Sequence, residues 1–302
     1  MCAFEFAPNT GVKENFVQIA LEQLQLAHTS LTQESDFEKA IYSARKCTKR
    51  LRALLRLVRT GLLPTDFNRE NAALRNVAEA LGGPREAQIA LIFLNDLPEE
   101  IQQLDSFTHA RTVLESDYAG KKAALMDGEL IHTVLANIVQ IQERINELHV
   151  WGDGFLILRP NLLFTMKAGR QKFNVCLREQ SEYNMHEWRK RVKRLWYHTT
   201  LLRAVDPSML ELLIEQLDDM GETLGTAHDW AVLHQLVSPL VAEGADGAML
   251  LAAIHATQVV EEEVAIASGH QLYKNLHPAK LVKSLGEKWS EFMTANTEQV
   301  HE

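Results

Sequence analysis

The chain is poor in the residues that make turns, and this scarcity restricts its fold more than any other feature. It contains 15 glycines and 8 prolines in 302 residues. Sheet-rich folds need turn residues roughly every 8–12 positions, which this chain cannot supply. Residues that favour helices, chiefly Ala, Leu, Glu, Gln and Arg, are abundant, whereas aromatic residues make up only 7%. We therefore predict an all-α fold.

Composition also narrows the class of protein. Hydrophobic residues at 46% and charged residues at 24% are typical of a globular chain with a large core. No run of 18 apolar residues occurs, so no membrane partner is expected. Cys2, Cys47 and Cys176 are widely spaced, which favours neither a disulfide framework nor a cysteine-based metal site. Residues 1–15 lack a secretory signal pattern, so the expected location is the cytoplasm.

Positive charge is concentrated in two segments of an otherwise acidic chain. The formal net charge is −9. Residues 45–59 contain seven Lys or Arg and no Asp or Glu, and residues 167–203 contain ten Lys or Arg against three Glu. Such local concentrations of cations can bind a polyanion that the average charge would repel.

The two basic segments occupy equivalent places in an internal repeat with an offset of 143 or 144 residues. The offset is close to half the chain length, and it predicts two pseudo-symmetric helical bundles that arose by duplication, with a basic groove between them. The predicted halves are 1–150 and 151–302, joined near Trp151-Gly152-Asp153-Gly154. The matched segments are Arg45-Lys46 with Arg189-Lys190, Lys49-Arg50-Leu51 with Lys193-Arg194-Leu195, Leu81-Gly82 with Leu224-Gly225, and Arg85-Glu86 with His228-Asp229.

The first basic segment has the pattern of a helix with two distinct stripes, within a predicted helix over Asp36–Thr60. Helical spacing places one set of cations on one face and a set of apolar residues on another. Because the apolar face must be buried, the cations are expected at the surface. The cations are Arg45, Lys49, Arg52, Arg56 and Arg59, and the apolar residues are Ala44, Cys47, Leu51, Leu54, Leu55, Val58 and Leu62.

The second basic segment likewise predicts a helix with a cationic face and an apolar face, over Asn184–Val205. We expect Lys167 and Arg170, on the preceding helix, to line the same groove. Two further helices are predicted at Pro207–Leu224 and Ala227–Val241, the second beginning at a capping box formed by Thr226 and Asp229. On the second basic helix His186, Arg189, Lys190, Lys193 and Tyr197 share one face, and Trp188, Val192, Leu195, Thr199 and Leu202 can face the core.

These motifs resemble a known family. His186-Glu187-Trp188-Arg189-Lys190-Arg191-Val192-Lys193-Arg194-Leu195, followed by Leu224-Gly225-Thr226-Ala227-His228-Asp229, is similar to the second half of a CHAD domain, the conserved-histidine α-helical domain. The segment 44–54 with residues 81–86 resembles its first half, and Lys167-Ala168-Gly169-Arg170 resembles a basic element that precedes the second signature. Tyr42 departs from the pattern where a histidine is expected, and Glu86 departs from it where an aspartate is usual.

The resemblance implies two helical bundles that bind inorganic polyphosphate without catalysis, cofactor or metal. It extends the expected partners to polyphosphate granules. The cation stripe adds Arg56 to the residues implied by the motifs. The candidate binding residues are then Arg45, Lys46, Lys49, Arg50, Arg52, Arg56, Lys167, Arg170, His186, Arg189, Lys190, Lys193 and Arg194.

Two other functions fit parts of the sequence. His228-Asp229, with His186 or His198 upstream and Asp246 downstream, matches the residue order of helical metal-dependent phosphohydrolases, although two adjacent residues are a weak motif. A protein that binds single-stranded nucleic acid would stack bases on aromatic side chains near cations. The aromatic residues in question are Trp188, Trp196 and Tyr197, and because aromatics at helical spacing more often belong to the core, nucleic acid is not an expected partner.

Overall fold

The computed structural model describes residues 4–126, 128–152, 154–241 and 244–295, and it confirms the all-α prediction. These residues form twelve α-helices and no strand. None of the described helices is both long and apolar enough to cross a membrane. The helices are α1 (Val12–Gln33), α2 (Phe37–Leu57), α3 (Pro64–Ala80), α4 (Gly82–Asn95), α5 (Glu99–Gln102), α6 (Asp105–Met126), α7 (Glu129–Glu147), α8 (Phe155–Cys176), α9 (Glu182–Leu201), α10 (Pro207–Val237), α11 (Ala245–Asn275) and α12 (Pro278–Phe292).

The two basic helices, α2 and α9, begin at capping residues and bury the faces that the sequence predicts. Asp36 accepts a hydrogen bond from the Lys39 backbone N–H at 3.0 Å, and Ser181 caps α9 in the same way. Every residue of the two predicted apolar stripes is buried. Tyr197, predicted on the cationic face of α9, is also buried, because Phe4 packs against its ring.

Helix α10 corrects the predicted boundary near Gly225. The two expected helices, Pro207–Leu224 and Ala227–Val241, form one helix from Pro207 to Val237, so Thr226 and Asp229 are not a capping box. Gly225 is buried inside this helix, with the Arg189 side chain packed against it. A glycine inside a helix costs about 1 kcal/mol relative to alanine, and close packing offsets that cost here.

Apolar cores join the two halves of the chain. The larger core runs from Phe4 to Phe292 and contains side chains from both α2 and α9. A smaller core packs α4, α5 and α6 against α10 and α11. The proposed division at residue 150 and the internal duplication therefore stay predictions, and Asp153 of the proposed joint lies outside the described residues.

A short N-terminal segment adds a further connection between the halves. The Phe6 backbone N–H donates to the Leu201 carbonyl at 2.9 Å, and the Phe6 ring contacts Trp289 of α12. Phe4 is buried against Tyr197 of α9. These contacts fix the segment beside both basic helices, which becomes important for the position of Arg50.

Helix α11 approaches α8 and α9 closely at Gly269. A Cβ atom at this position would lie 2.5 Å from Phe173 Cε2 and 2.8 Å from Trp188 Cζ2. The indole of Trp188 is fully buried, and its Nε1–H donates to the Tyr273 hydroxyl at 3.0 Å. Both rings are therefore held in place, and the glycine is required by packing.

We predict that Gly269→Ala lowers the free energy of unfolding by about 1–3 kcal/mol, because the added methyl group overpacks the core. Gly120→Ala is the matched control, since Gly120 lies in α6 with no atom within 4 Å of its Cβ position. Helix propensity alone should make that variant more stable by about 0.5–1 kcal/mol. Chemical denaturation measures both changes. Equal stabilisation of the two variants would contradict the packing at Gly269.

Candidate anion-binding site

The site is organised by the contact between the two basic helices. Helix α2 packs against α9, and the buried His198 Nε2–H donates to the buried Ala53 carbonyl at 3.0 Å. Burial, followed by the charge of Arg194, lowers the pKa of His198 to about 3, so the ring is neutral. This contact brings the cationic stripes of the two helices together.

Four cations from α2 and α9 form what we call the central cluster: Arg45, Lys49, Arg189 and Lys193. The Lys49 side chain is exposed, but neighbouring protein atoms partly desolvate it. This partial desolvation, followed by the charges of Arg189, Arg45 and Lys193, lowers the pKa of Lys49. Lys49 and Lys193 therefore lie near one another, as the repeat predicts.

Carboxylates from α4 and α10 surround the central cluster. Lys193 Nζ lies 2.6 Å from Glu222 Oε1 and 3.3 Å from Asp218 Oδ1. Arg45 Nη2 lies 3.9 Å from Glu86 Oε1. Burial raises the pKa of Asp229, although the charges of Arg189, Arg85 and Lys49 oppose that change. The central cluster is thus partly neutralised by the protein itself.

Glycines let the long basic side chains lie against neighbouring helices. A Cβ atom at Gly82 would lie 3.0 Å from Arg45 Nη1, and one at Gly225 would lie 3.1 Å from Arg189 Nη2. The Arg45 guanidinium is also held by a 2.6 Å hydrogen bond from Nη1 to the Ala78 carbonyl. Arg45 with Gly82 and Arg189 with Gly225 are the pairs that the sequence repeat aligns, so equivalent contacts occur in both halves.

A contact between a ring of a basic helix and a neighbouring side chain also recurs at aligned positions. The His186 ring lies over the His228 ring, with 4.3 Å between centroids, and the aligned Tyr42 ring lies 5.5 Å from the Arg85 guanidinium. Burial and then nearby positive charge, chiefly that of Lys190 for His186, lower the pKa of both histidines to about 4. Nδ1 of each ring is buried without a hydrogen-bond partner among the described residues. His228, which the sequence placed in a helix cap, is therefore part of the site.

Four arginines form a second group, which we call the arginine cluster: Arg52 and Arg56 of α2 with Arg191 and Arg194 of α9. All four side chains are half-buried. Burial, followed by the charges of Arg194, Arg52 and Arg191, lowers the pKa of Arg56 to about 9. Burial, followed by the charges of Arg191 and Arg52, lowers that of Arg194 to about 10. Arg191 lies within the quoted motif but was not predicted as a binding residue, and the structure places it beside Arg194 and Arg56.

Three predicted residues lie elsewhere. Arg50 points to the N-terminal segment, where its guanidinium lies 5.1 Å from the Phe4 ring centre and Nη1 donates to Gln23 Oε1 at 3.3 Å. Arg170 donates to the backbone carbonyls of Tyr273, at 2.6 Å, and Leu276 at the end of α11. With Lys167 it lines an open pocket of about 520 Å³ whose lining includes no residue of α9, so the groove shared by Lys167, Arg170 and α9 stays a prediction.

The remaining predicted cations flank these clusters. Lys46 Nζ lies 6.0 Å from the Tyr42 ring centre, and Lys190 is exposed and bound to Glu187 Oε1 at 2.7 Å. Lys46 is half-buried. Both side chains are near the aromatic pairs and can move toward a ligand.

The residues of the two alternative functions have other contacts. Asp246 accepts a hydrogen bond from the Ser106 backbone N–H at 2.7 Å, and His198 is bound to Ala53. Within the described ranges, no three His, Cys, Asp or Glu side chains are grouped so that they could hold a metal ion. Of the aromatics considered for base stacking, Trp188 and Tyr197 are buried, and Trp196 lies under Lys193 at 4.5 Å.

Comparison with known proteins bears on the fold and the family. Two solved structures are similar: PptA from Streptomyces chartreusis, with a TM-score of 0.63 over 88% of this chain and 100% of that chain, and the CHAD domain from the plant Ricinus communis, with a TM-score of 0.62 over 92% and 96%. Both are 14% identical to this chain, so they show the fold alone.

The sequence comparisons are more specific about the family. No curated protein matches the chain in sequence. The family model described as "CHAD domain" matches residues 16–238, which include both basic helices, the His186–His228 pair and both clusters. A match over more than half of the chain shows that this protein belongs to the CHAD domain family.

Proposed function

We propose that this protein binds inorganic polyphosphate at the junction of α2 and α9 and does not catalyse a reaction there. The observation that carries the proposal is the meeting of two cationic stripes from equivalent helices, with Lys49 near Arg189 and Lys193. The CHAD resemblance implies the same ligand. A linear polyphosphate presents one negative charge or more per phosphoryl unit, and Lys and Arg bind such oxygens through charge-assisted hydrogen bonds.

The surroundings of the clusters favour a thin polyanion over a nucleic acid. Asp218, Glu222 and Glu86 lie beside the central cluster, and they would repel the broad phosphate surface of a duplex. A single chain of phosphoryl units can contact the cations and avoid these carboxylates. The buried state of Trp188 and Tyr197 also removes two platforms for base stacking.

The first test of the proposal is the dependence of affinity on salt. Binding of long-chain polyphosphate should weaken steeply with ionic strength, because each phosphate contact releases counterions. Lys49→Glu and Lys193→Glu should each weaken binding at least about tenfold and reduce the slope of log K against log salt by about one. Fluorescence anisotropy over a salt series measures both quantities.

Lys283→Glu is the control for that test. Lys283 lies on α12 with 79% of its side chain exposed, and it pairs only with Glu287 among the described residues. The change in net charge is identical, so affinity should change less than about twofold if contacts at the junction matter. Equal losses in all three variants would contradict a local site, and orthophosphate release with Mg²⁺ or Mn²⁺ would contradict a pure binding function.

A second prediction concerns the carboxylates of α10. Glu222 competes with a polyanion for Lys193, since its Oε1 lies 2.6 Å from the ammonium group. Burial pushes the pKa of Glu222 up, but the Lys193 hydrogen bond and the charges of Lys193, Arg189 and Lys49 lower it overall, so the group is ionised at neutral pH. Glu222→Gln should therefore tighten polyphosphate binding by about threefold or more. Weaker binding in this variant would show that Glu222 positions Lys193 for the ligand.

A third prediction concerns pH. A bound polyanion favours the charged form of His186 and His228, whose pKa values in the free protein are about 4. Binding therefore takes up protons, and affinity should rise as pH falls from about 6.5 toward 4, by up to about tenfold per pH unit for each proton bound. Calorimetry in buffers of different ionisation enthalpy counts the protons directly.

Variants separate the histidines from other groups that titrate in this range. His186→Gln and His228→Gln keep a hydrogen-bond donor without the charge, so each should flatten the pH dependence. Protonation of Asp229 and Glu222 also favours a polyanion, but it is common to parent and variants. Tyr42→Phe, at the aligned place in the first half, should leave the profile unchanged. A parental profile in both glutamine variants would make the histidine pair a purely structural contact.

A further inference from the structure

The arginine cluster differs from the central cluster in its lack of counter-charges. Lys193 of the central cluster has two carboxylates within ion-pair distance. In contrast, none of Arg52, Arg56, Arg191 and Arg194 forms an ion pair with any described carboxylate within 4.0 Å. The cluster therefore presents four positive charges on half-buried side chains, without a direct ion pair to a described carboxylate.

The nearest carboxylates are already engaged by other cations. Glu187 raises the pKa of Arg194 slightly against the other effects, but its Oε1 is bound to Lys190 Nζ at 2.7 Å. Glu79 likewise raises the pKa of Arg52 against the other effects, but its Oε1 lies 3.6 Å from Arg75 Nε in an ion pair. Neither carboxylate is free to neutralise the cluster.

Hydrogen bonds within the protein position two of the four arginines, whereas a third has a buried donor without an acceptor among the described residues. Arg56 Nη1 donates to the Arg52 carbonyl at 2.8 Å, and Arg52 Nε donates to Asn71 Oδ1 at 3.3 Å. Arg191 Nε is buried and has no acceptor within the described residues. Two arginines are thus positioned by the protein, while a third has a donor that is shielded from solvent.

The faces of α9 separate the two clusters. Arg191 and Arg194 are three residues apart and share one face, whereas Arg189 and Lys193 are four apart and share another. Lys49 interacts with Arg189 and Lys193, and Arg56 interacts with Arg194 and Arg191. Each face of α9 therefore meets a different part of the α2 stripe.

We propose that the arginine cluster is a self-sufficient binding site for a short oligophosphate group, such as inorganic tripolyphosphate or the end of a longer chain, and that Arg191 is one of its ligand-binding residues. The choice of phosphate rests on the proposed function. The guanidinium fork matches phosphate oxygens in pairs, and several adjacent forks require a compact ligand with several charges. An anion also offsets the repulsion that four crowded guanidinium groups impose on the free protein.

Calorimetric titration of the full chain with tripolyphosphate tests the site. We expect the parent to bind tripolyphosphate and Arg191→Gln to weaken that binding about tenfold or more, as the loss of a charge-assisted hydrogen bond requires. Arg191→Lys keeps the charge without the fork and should give an intermediate loss. Lys283→Gln, which removes an exposed charge of α12 outside the candidate site, is the matched control and should change the affinity less than about twofold.

The outcomes separate this inference from the proposed function. Equal losses in Arg191→Gln and Lys283→Gln, or long-chain polyphosphate binding without tripolyphosphate binding, would overturn the self-sufficient site. Tripolyphosphate binding that depends on Arg191, without long-chain binding, would support the site and refute the proposed function. Prior saturation with long chains identifies the source of the group: blocked tripolyphosphate binding indicates a chain that occupies the site, and retained binding indicates a free oligophosphate.

Thermal unfolding without ligand distinguishes a binding role from a structural one. Removal of one of four repelling charges should leave the Tm of Arg191→Gln equal to or above that of the parent. Tripolyphosphate should raise the Tm of the parent more than that of the variant, because only ligand bound to the folded state stabilises it. A Tm well below the parental value would show that Arg191 supports the fold, and that result would overturn its assignment as a ligand-binding residue.

Discussion

The contact between α2 and α9 determines where the positive charge of this protein lies. Each helix has one face that must leave water, and those faces contribute to the same core, with His198 bonded to the Ala53 carbonyl between them. A neutral imidazole satisfies the buried carbonyl without adding charge to the contact. Because the apolar faces of both helices are buried in this core, the cationic faces lie along the two sides of the α2–α9 contact. The positions of the two clusters therefore follow from the burial of the apolar faces.

The two clusters differ in what offsets the repulsion between their positive charges. Around the central cluster, α10 supplies Asp218 and Glu222 and lies close to the basic stems because Gly221 and Gly225 have no side chains. Among the described residues, no carboxylate lies at ion-pair distance from the arginine cluster in this way. Crowded, half-buried like charges lower the stability of a folded protein, and such sites persist where they serve a ligand. Under the proposed function, a ligand at the central cluster would replace internal partners, whereas a ligand at the arginine cluster would add a partner.

The scarcity of turn residues was enough to predict the fold class. Helical periodicity and the repeat were enough to predict the buried stripes and the proximity of Lys49 and Lys193, because these depend on spacing within one helix and on the repeat. Periodicity failed where a side chain is fixed by a residue far away in the sequence. Arg50 is held by Phe4 and Gln23, and Arg170 by carbonyls near Tyr273. Gly225 was taken as a helix end because its packing against Arg189 is invisible in the sequence. Because of the same wrong helix boundary, the contact between His228 and His186 was not predicted; a continuous α10 brings the two rings together.

The net charge of −9 does not conflict with a site for polyanions, because the range of electrostatic interactions is short in solution. At physiological ionic strength the Debye length is about 8 Å, so a ligand at the junction responds mainly to the charges beside it. Half-buried guanidinium groups are screened less than exposed carboxylates on the outer helices. Under the proposed function, the acidic remainder of the chain would affect selectivity only within this range: a wide polyanion would come close to the carboxylates, whereas a chain one phosphoryl unit wide would reach the arginines without approaching them. The distribution of charge, and not its sum, decides which anion this fold can accept.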